Sequence, residues 1–378
     1  MKYPIGIQDF EDLQRNGYAY VDKTNFVYKL ADEGKYYFLS RPRRFGKSLF
    51  LSTLEAYFQG KKELFEGLAI YDLETEWKKY PIFHIDLNTA NFREKDSLYT
   101  VLNDYLTTWE CKYGTRESEA TLALRFKGVI ARAAEKEGCG VVILIDEYDK
   151  PILQTLRAPE LQAEHRAQLK AFYSVLKTQD RYIKFAFLTG VTKFGKVSVF
   201  SDLNNLTDIS MDHRYISICG MTEKELLTNF KEGIGELASA NEDNETETID
   251  KLRMRYSGYH FEENSKEIYN PFSVLNTLAN SRYDDYWFKA DTHTFLIDIL
   301  KKHDYCITDL NKTQVKANMM NNVDSNPIPV IYQSGYLTIK SYDERFKNYQ
   351  LGIPNKEVEE GILNTLLPHG CKTAEMDC

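Results

Sequence analysis

The stretch Arg41-Pro42-Arg43-Arg44-Phe45-Gly46-Lys47-Ser48 ends in a glycine, a lysine and a hydroxyl in immediate succession. A glycine there lets the backbone come close to a bulky anion. The lysine offers a positive charge to phosphate oxygens, and the serine offers an oxygen to a divalent cation. A second stretch carries acids: Val141-Val142-Ile143-Leu144-Ile145 leads directly into Asp146-Glu147-Tyr148-Asp149. An Asp in that place suits the shell of a Mg²⁺ ion, and the following Glu suits orientation or deprotonation of a water. Together the two stretches are the pieces of a phosphoryl-transfer site, with Lys47 and Glu147 acting on substrate and Ser48 and Asp146 on the metal.

Each piece needs an element to hold it. The run before Arg41 reads as a strand, and Leu49, Phe50, Leu54 and Phe58 follow at helical spacing. The loop residues Arg43, Arg44, Phe45, Gly46, Lys47, Ser48 and Leu49 thus open a helix, whose first N–H groups lack intrahelical partners and favour an anion. The general phosphate-loop pattern has Gly where this chain has Arg41. A surface turn with an incidental lysine is the plainer alternative for this stretch alone. The five apolar residues before Asp146 describe a strand buried on both faces, as in a parallel sheet. Ligands of such sheets bind at the C-terminal strand ends. Further strands are expected near 36–40, 82–87 and 183–189, with helices near 47–58, 97–109, 117–137 and 162–178. That alternation predicts an α/β fold, a parallel sheet with helices on both faces.

Thr189 ends the strand Ile183–Thr189 and is the candidate to sense the terminal phosphate, with Thr192 in reserve. Asp149 either caps the next helix or joins the site. Lys193 and Lys196 stand where a finger-like cation would stand. Tyr20 or Phe26, ahead of the first strand, either stacks on a base or belongs to the core. His84, within an apolar strand and with no second His at metal spacing, reads as packed and neutral.

The chain has 378 residues, which suggests two to three domains of ~150 residues each. We divide it into a nucleotide domain over 1–220, a helical lid over 221–305 and a C-terminal module over 306–378. In the lid, Thr222 and Glu225 form a capping box. Near the end, strand-like runs at 336–339 and 349–353 and a helix capped by Asn355 suggest a winged-helix-like module. Net charge is −8, which argues against a broad basic nucleic-acid surface. The six cysteines form no C-x-x-C pair and read as free thiols of a reducing compartment. With no signal-like N-terminus and no long apolar run, the chain is expected to be cytoplasmic and not membrane-bound.

The chain resembles the AAA-ATPase-like proteins of Bacteroides-type bacteria. The resemblance rests on Tyr20-Val21-Asp22-Lys23-Thr24, the Arg41–Ser48 loop, Leu144-Ile145-Asp146-Glu147-Tyr148-Asp149 and Leu188-Thr189-Gly190-Val191-Thr192-Lys193-Phe194. It continues through Phe200–Leu206, Tyr256-Ser257-Gly258-Tyr259, Tyr269-Asn270-Pro271 and Tyr332-Gln333-Ser334-Gly335-Tyr336-Leu337. In that family an Arg at the first Gly position is ordinary. The resemblance implies ATP and Mg²⁺ as ligands and ATP hydrolysis as the reaction. A nucleotide-gated switch without turnover, or the DNA-associated ATPase of a mobile-element or defence system, are the alternatives. A second copy or another protein is the expected partner. Family members often carry a C-terminal PD-(D/E)-x-K nuclease domain. No such signature is read here, since Glu76-Trp77-Lys78 lacks the flanking strand and an upstream Asp.

Overall fold

A computed structural model describes residues 1–193, 205–290, 313–320 and 327–366, together with Leu296 and Leu310. Five parallel strands form the main sheet: β1 (Tyr36–Ser40), β2 (Ile82–Asp86), β3 (Val141–Asp146), β4 (Ile183–Gly190) and β5 (Thr207–Asp208). Their order is β2-β3-β4-β1-β5. The expected α/β fold is therefore present, with the four expected strands in place. β5, two residues long, was not anticipated from the sequence.

Alternation within the central strands divides the core in two. Leu39, Val142, Leu144, Phe185 and Phe187 face one apolar cluster, which also holds Phe50, Leu51 and Leu54 of the helix Lys47–Phe58. Phe38, Ile143, Ile145, Ala186 and Leu188 face the other, with the helices Ser97–Tyr113, Leu122–Glu137 and Pro159–Thr178. A strand whose neighbours cover both faces has no reason to alternate polar and apolar residues, and β3 is buried throughout. The edge strand β2 does alternate, and its partly exposed His84 lies 2.7 Å from Glu55 of the Lys47–Phe58 helix. Burial opposes charge on His84, but Glu55, Asp146 and Asp86 push its pKa up. This histidine is thus paired with a carboxylate rather than packed in apolar surroundings.

Beyond the main sheet, β6 (Met221–Thr222) pairs antiparallel with β7 (Ile268–Tyr269). The capping box of Thr222 and Glu225 opens the helix Glu223–Asn229. Asn270 caps the helix Pro271–Asn280 through the N–H groups of Phe272 and Ser273. A three-stranded antiparallel sheet follows, ordered β8 (Gln314–Lys316), β10 (Asn348–Gly352), β9 (Thr338–Asp343). Asn355 accepts from Val358 at the start of the helix Lys356–Leu366. The hairpin expected near 336–353 is therefore present. Of the winged-helix-like module expected over 306–378, residues 306–309, 311, 312, 321–326 and 367–378 lie outside the described residues. The apolar cluster that receives Phe50 and Leu54 also includes Trp287, Tyr336 and Ile362, so the C-terminal segment packs onto the phosphate-loop side of the sheet.

Candidate functional site

The register of the sheet brings the two stretches together. Ser40 lies opposite Gly190, and Asp86 lies opposite Asp146, so the C-terminal ends of β1 to β4 form one edge. β4 stands between β1 and β3. A residue at its end can therefore reach both the loop after β1 and the acids after β3.

The loop after β1 turns sharply. Arg44 and Gly46 both have positive φ, 64° and 94°. At Gly46 only glycine takes that conformation without strain. Gly46 is also the N-cap of the helix that begins at Lys47, with no side chain to occupy the first amides. Lys47 is buried, and its Nζ lies 2.9 Å from Glu147 Oε1. It also donates to the carbonyls of Arg41 and Pro42 at 3.1 and 3.2 Å. Asp146 receives two hydroxyls, Ser48 Oγ on Oδ2 and Thr189 Oγ1 on Oδ1, both at 2.5 Å. Lys47, Ser48, Asp146, Glu147 and Thr189 thus converge on one point, although Ser48 and Asp146 lie 98 residues apart.

Glu147 has φ 50°, an unfavourable conformation for a residue other than glycine. Its neighbours hold it there. The Tyr148 N–H donates to Thr189 O at 3.0 Å, and the Tyr148 hydroxyl donates to Thr192 O at 2.9 Å. Asp149 accepts from Val191 N, Thr192 N and Thr192 Oγ1 at 3.2, 2.6 and 2.7 Å. Its carboxylate makes no cap for the following helix. Burial first, and then the charge of Glu147, raise the Asp149 pKa to about 6. Thr192, the reserve candidate for phosphate sensing, is thereby committed to Asp149. At Gly190 an added Cβ would lie 2.6 Å from Asp149 Oδ1, so the close approach of the two loops requires glycine.

The remaining loop candidates separate by side. Arg43 and Arg44 are exposed and line an open cleft of about 500 Å³ with Gly46, Lys47, Glu147 and Lys150. The Arg44 guanidinium lies 4.2 Å from the centre of the Phe272 ring, at the start of the Pro271 helix. Ser48 and Leu49 line the same cleft. The Phe45 ring turns the other way, edge-on to Tyr259 at 4.9 Å, so only its backbone belongs to the loop. Arg41 is buried and donates to the carbonyls of Ser40 and Ser210 at 2.9 and 2.7 Å, with Phe261 4.0 Å beneath its guanidinium. Burial lowers its pKa to about 10. It holds the chain beyond β5 against the loop instead of facing the cleft.

Lys193 pairs with Asp208, and Lys196 lies outside the described residues. Tyr20 packs edge-on to Phe10 at 5.2 Å and borders an apolar recess of about 90 Å³ that adjoins Gly46 and Leu49. Phe26 packs near Tyr215. Lys150, which donates to Asn88 O at 2.8 Å, was not anticipated as a cleft residue. Its place directly after Asp149 was the available signal.

A family model described as Predicted AAA-ATPase matches residues 4–200. The chain belongs to that family. A protein of Azotobacter chroococcum mcd 1, described as an uncharacterized protein in the vnfD 5' region, is 37% identical over 372 residues. The alignment covers 97% of this chain and 70% of that relative, whose description states no activity. For this predicted AAA-ATPase, the match includes both the loop at Arg41–Ser48 and the acidic turn at Asp146–Asp149. No helix among the described residues is long and apolar enough to cross a membrane.

Proposed function

We propose that this chain binds ATP with Mg²⁺ in the cleft beside Gly46 and hydrolyses it. The observation that carries the reading is the convergence of Lys47, Ser48, Asp146, Glu147 and Thr189 on one edge of a parallel sheet. The triphosphate lies along the amides that open the Lys47 helix, and Lys47 neutralises its β/γ oxygens. Among the described residues no group of three or more His, Cys, Asp or Glu could hold a metal by itself. A cation that keeps waters and shares phosphate oxygens needs few protein ligands, and Ser48 and Asp146 suit it. When bound, Mg²⁺ supplies charge neutralisation on the phosphates. Glu147 takes the proton of the attacking water, and Thr189 holds Asp146 in place from its other side. Arg43, Arg44 and Lys150 add positive charge along the cleft, and the apolar recess at Tyr20 seats the base.

Steady-state ATP turnover of the wild-type chain, beside Lys47→Ala and Glu147→Gln, tests this. Turnover lost in both variants, with nucleotide still bound by Glu147→Gln, supports hydrolysis at this site. Binding without turnover in the wild type supports the second reading, a nucleotide-gated switch. That reading is favoured by the contact of Trp287 Nε1 with the carbonyl of Arg43 at 3.1 Å, which ties the loop to the segment between residues 221 and 305. A DNA-associated role has only the family resemblance behind it, and the net charge of −8 weighs against it.

A further inference from the structure

We infer that Gln333 is a positioning residue for the acidic turn, and that residues 332–336 make the C-terminal segment a working part of the nucleotide site. The inference rests on the hydrolytic reading above and adds a regulator of it.

Gln333 ends the helix Ile328–Gln333 and is buried. Its Oε1 accepts the Lys193 N–H at 2.8 Å, and its Nε2 donates to Met320 O at 3.0 Å. Both ends of the amide are therefore used, as burial of a polar side chain demands. Lys193 directly follows Thr192. The Thr192 N–H and hydroxyl both donate to Asp149, and the Thr192 carbonyl accepts from the Tyr148 hydroxyl. Tyr148 and Asp149 are the two residues after Glu147. A continuous path of directed hydrogen bonds thus runs from the C-terminal segment to the backbone that holds Glu147 at φ 50°.

The same stretch also touches the other loop of the site. Gly335 has φ +91°, and an added Cβ there would lie 2.8 Å from Pro42 Cβ. The Tyr336 ring lies 5.5 Å from the Trp287 ring, whose indole N–H donates to Arg43 O. Within five consecutive residues, Gln333 therefore reaches the chain that holds the acidic turn, while Gly335 lies against Pro42 and Tyr336 reaches the loop after β1 through Trp287. An unfavourable backbone conformation persists only where its surroundings over-determine it. When Gln333 is lost, the Lys193 N–H loses its acceptor, the chain after β4 loosens, and Glu147 is less well placed for its water.

The test compares wild type with Gln333→Leu and Gln333→Glu. Leu fills similar space without polar atoms, whereas Glu keeps the acceptor for Lys193 N–H. Gln333→Leu should lower kcat for ATP by ~10–100-fold, the scale of a displacement of about 1 Å at a catalytic group, with KM nearly unchanged. Gln333→Glu should recover much of kcat. In combination with Asp149→Asn, Gln333→Leu should cost less than its separate effect, because the two act through one network. A residue that only stabilises the fold would lower the melting temperature without this split or this coupling. Wild-type kcat in Gln333→Leu, or full additivity with Asp149→Asn, overturns the inference while leaving the hydrolytic reading intact. Absence of turnover in the wild type overturns the hydrolytic reading instead. Hydrogen exchange at 146–150 in the nucleotide-free chain then decides: faster exchange in Gln333→Leu supports the path, and unchanged exchange overturns it.

Discussion

Asp146 and Glu357 are both almost wholly buried acids, and the chain treats them in different ways. Asp146 sits at a strand end between two hydroxyls, and one of its donors, Ser48, lines the open cleft together with Lys47 and Glu147, which pair with each other. Glu357 sits beneath the helix Pro271–Asn280, where it accepts from Ser273 Oγ and from Trp287 N at 2.9 Å. Among the described residues no lysine pairs with it, and Arg255 bonds to Asp285 and Glu360 instead. Burial first, and then Asp285, raise the Glu357 pKa to about 8 against the pull of its hydrogen bonds and of Arg255. At neutral pH it is mostly a neutral carboxylic acid that joins two helices. Burial of an acid therefore does not mark a chemical site. The site proposed at Asp146 rests instead on convergence with a cation and hydroxyls at a strand end.

The contrast can be broken by substitution on each side. Glu147→Gln should produce the largest change, a loss of ~10²–10⁴-fold in kcat, the range for a general base. Equilibrium binding of a fluorescent ATP analogue should remain, and loss of binding would mean that Glu147 shapes the pocket rather than the chemistry. Next in size is Lys47→Ala, with ~10²-fold or more lost in turnover as a charge-stabilising donor is removed. This variant should also bind the analogue more weakly, which separates it from Glu147→Gln. Thr189→Val removes one hydroxyl from Asp146 and should cost ~10-fold in kcat, in line with a hydrogen bond to a charged group. The Mg²⁺ concentration for half-maximal rate should rise with it.

Glu357→Gln should leave turnover unchanged and alter only the pH dependence of stability. The folded state keeps this proton up to about pH 8, whereas an unfolded glutamate loses it near its ordinary value of 4.5. Between those limits the folded chain binds more protons, so stability falls as pH rises, by at most ~1.4 kcal/mol per pH unit. Asp149 acts with the same sign, but only up to about pH 6. Urea denaturation from pH 6 to 8 follows Glu357 together with His84, whose raised pKa acts with the same sign, so the slope there should flatten in Glu357→Gln by the glutamate's share alone. An unchanged slope in that window would show that Glu357 is already ionised.

Much of the site was legible because its signals are local. Gly46-Lys47-Ser48 opening a helix, and an apolar run ending in Asp146-Glu147, suggest the proposed chemistry within a few residues. The strands β1 to β4 were readable because burial on both faces demands continuous apolar runs. The two-residue β5 left no such run. Arg41 was unreadable for another reason. Its acceptors are backbone carbonyls of Ser210 and neighbouring residues, and a carbonyl has no signature in sequence. Phe45 illustrates the same limit, since its place in the loop did not reveal that its ring packs on Tyr259.

By itself, the sequence determined the fold class, the two motifs and their order along the chain, because these follow from residue type, spacing and periodicity. Tertiary structure alone decided that β4 would stand between β1 and β3, which places Thr189 on Asp146. It also decided that Thr192 would serve Asp149, and that Gln333 would reach the residue after Thr192 across 140 positions of chain. Those pairings depend on which strand ends and helix ends meet in space. Hydrogen bonds are short-ranged and directional, so only the packed chain selects which donor finds which acceptor.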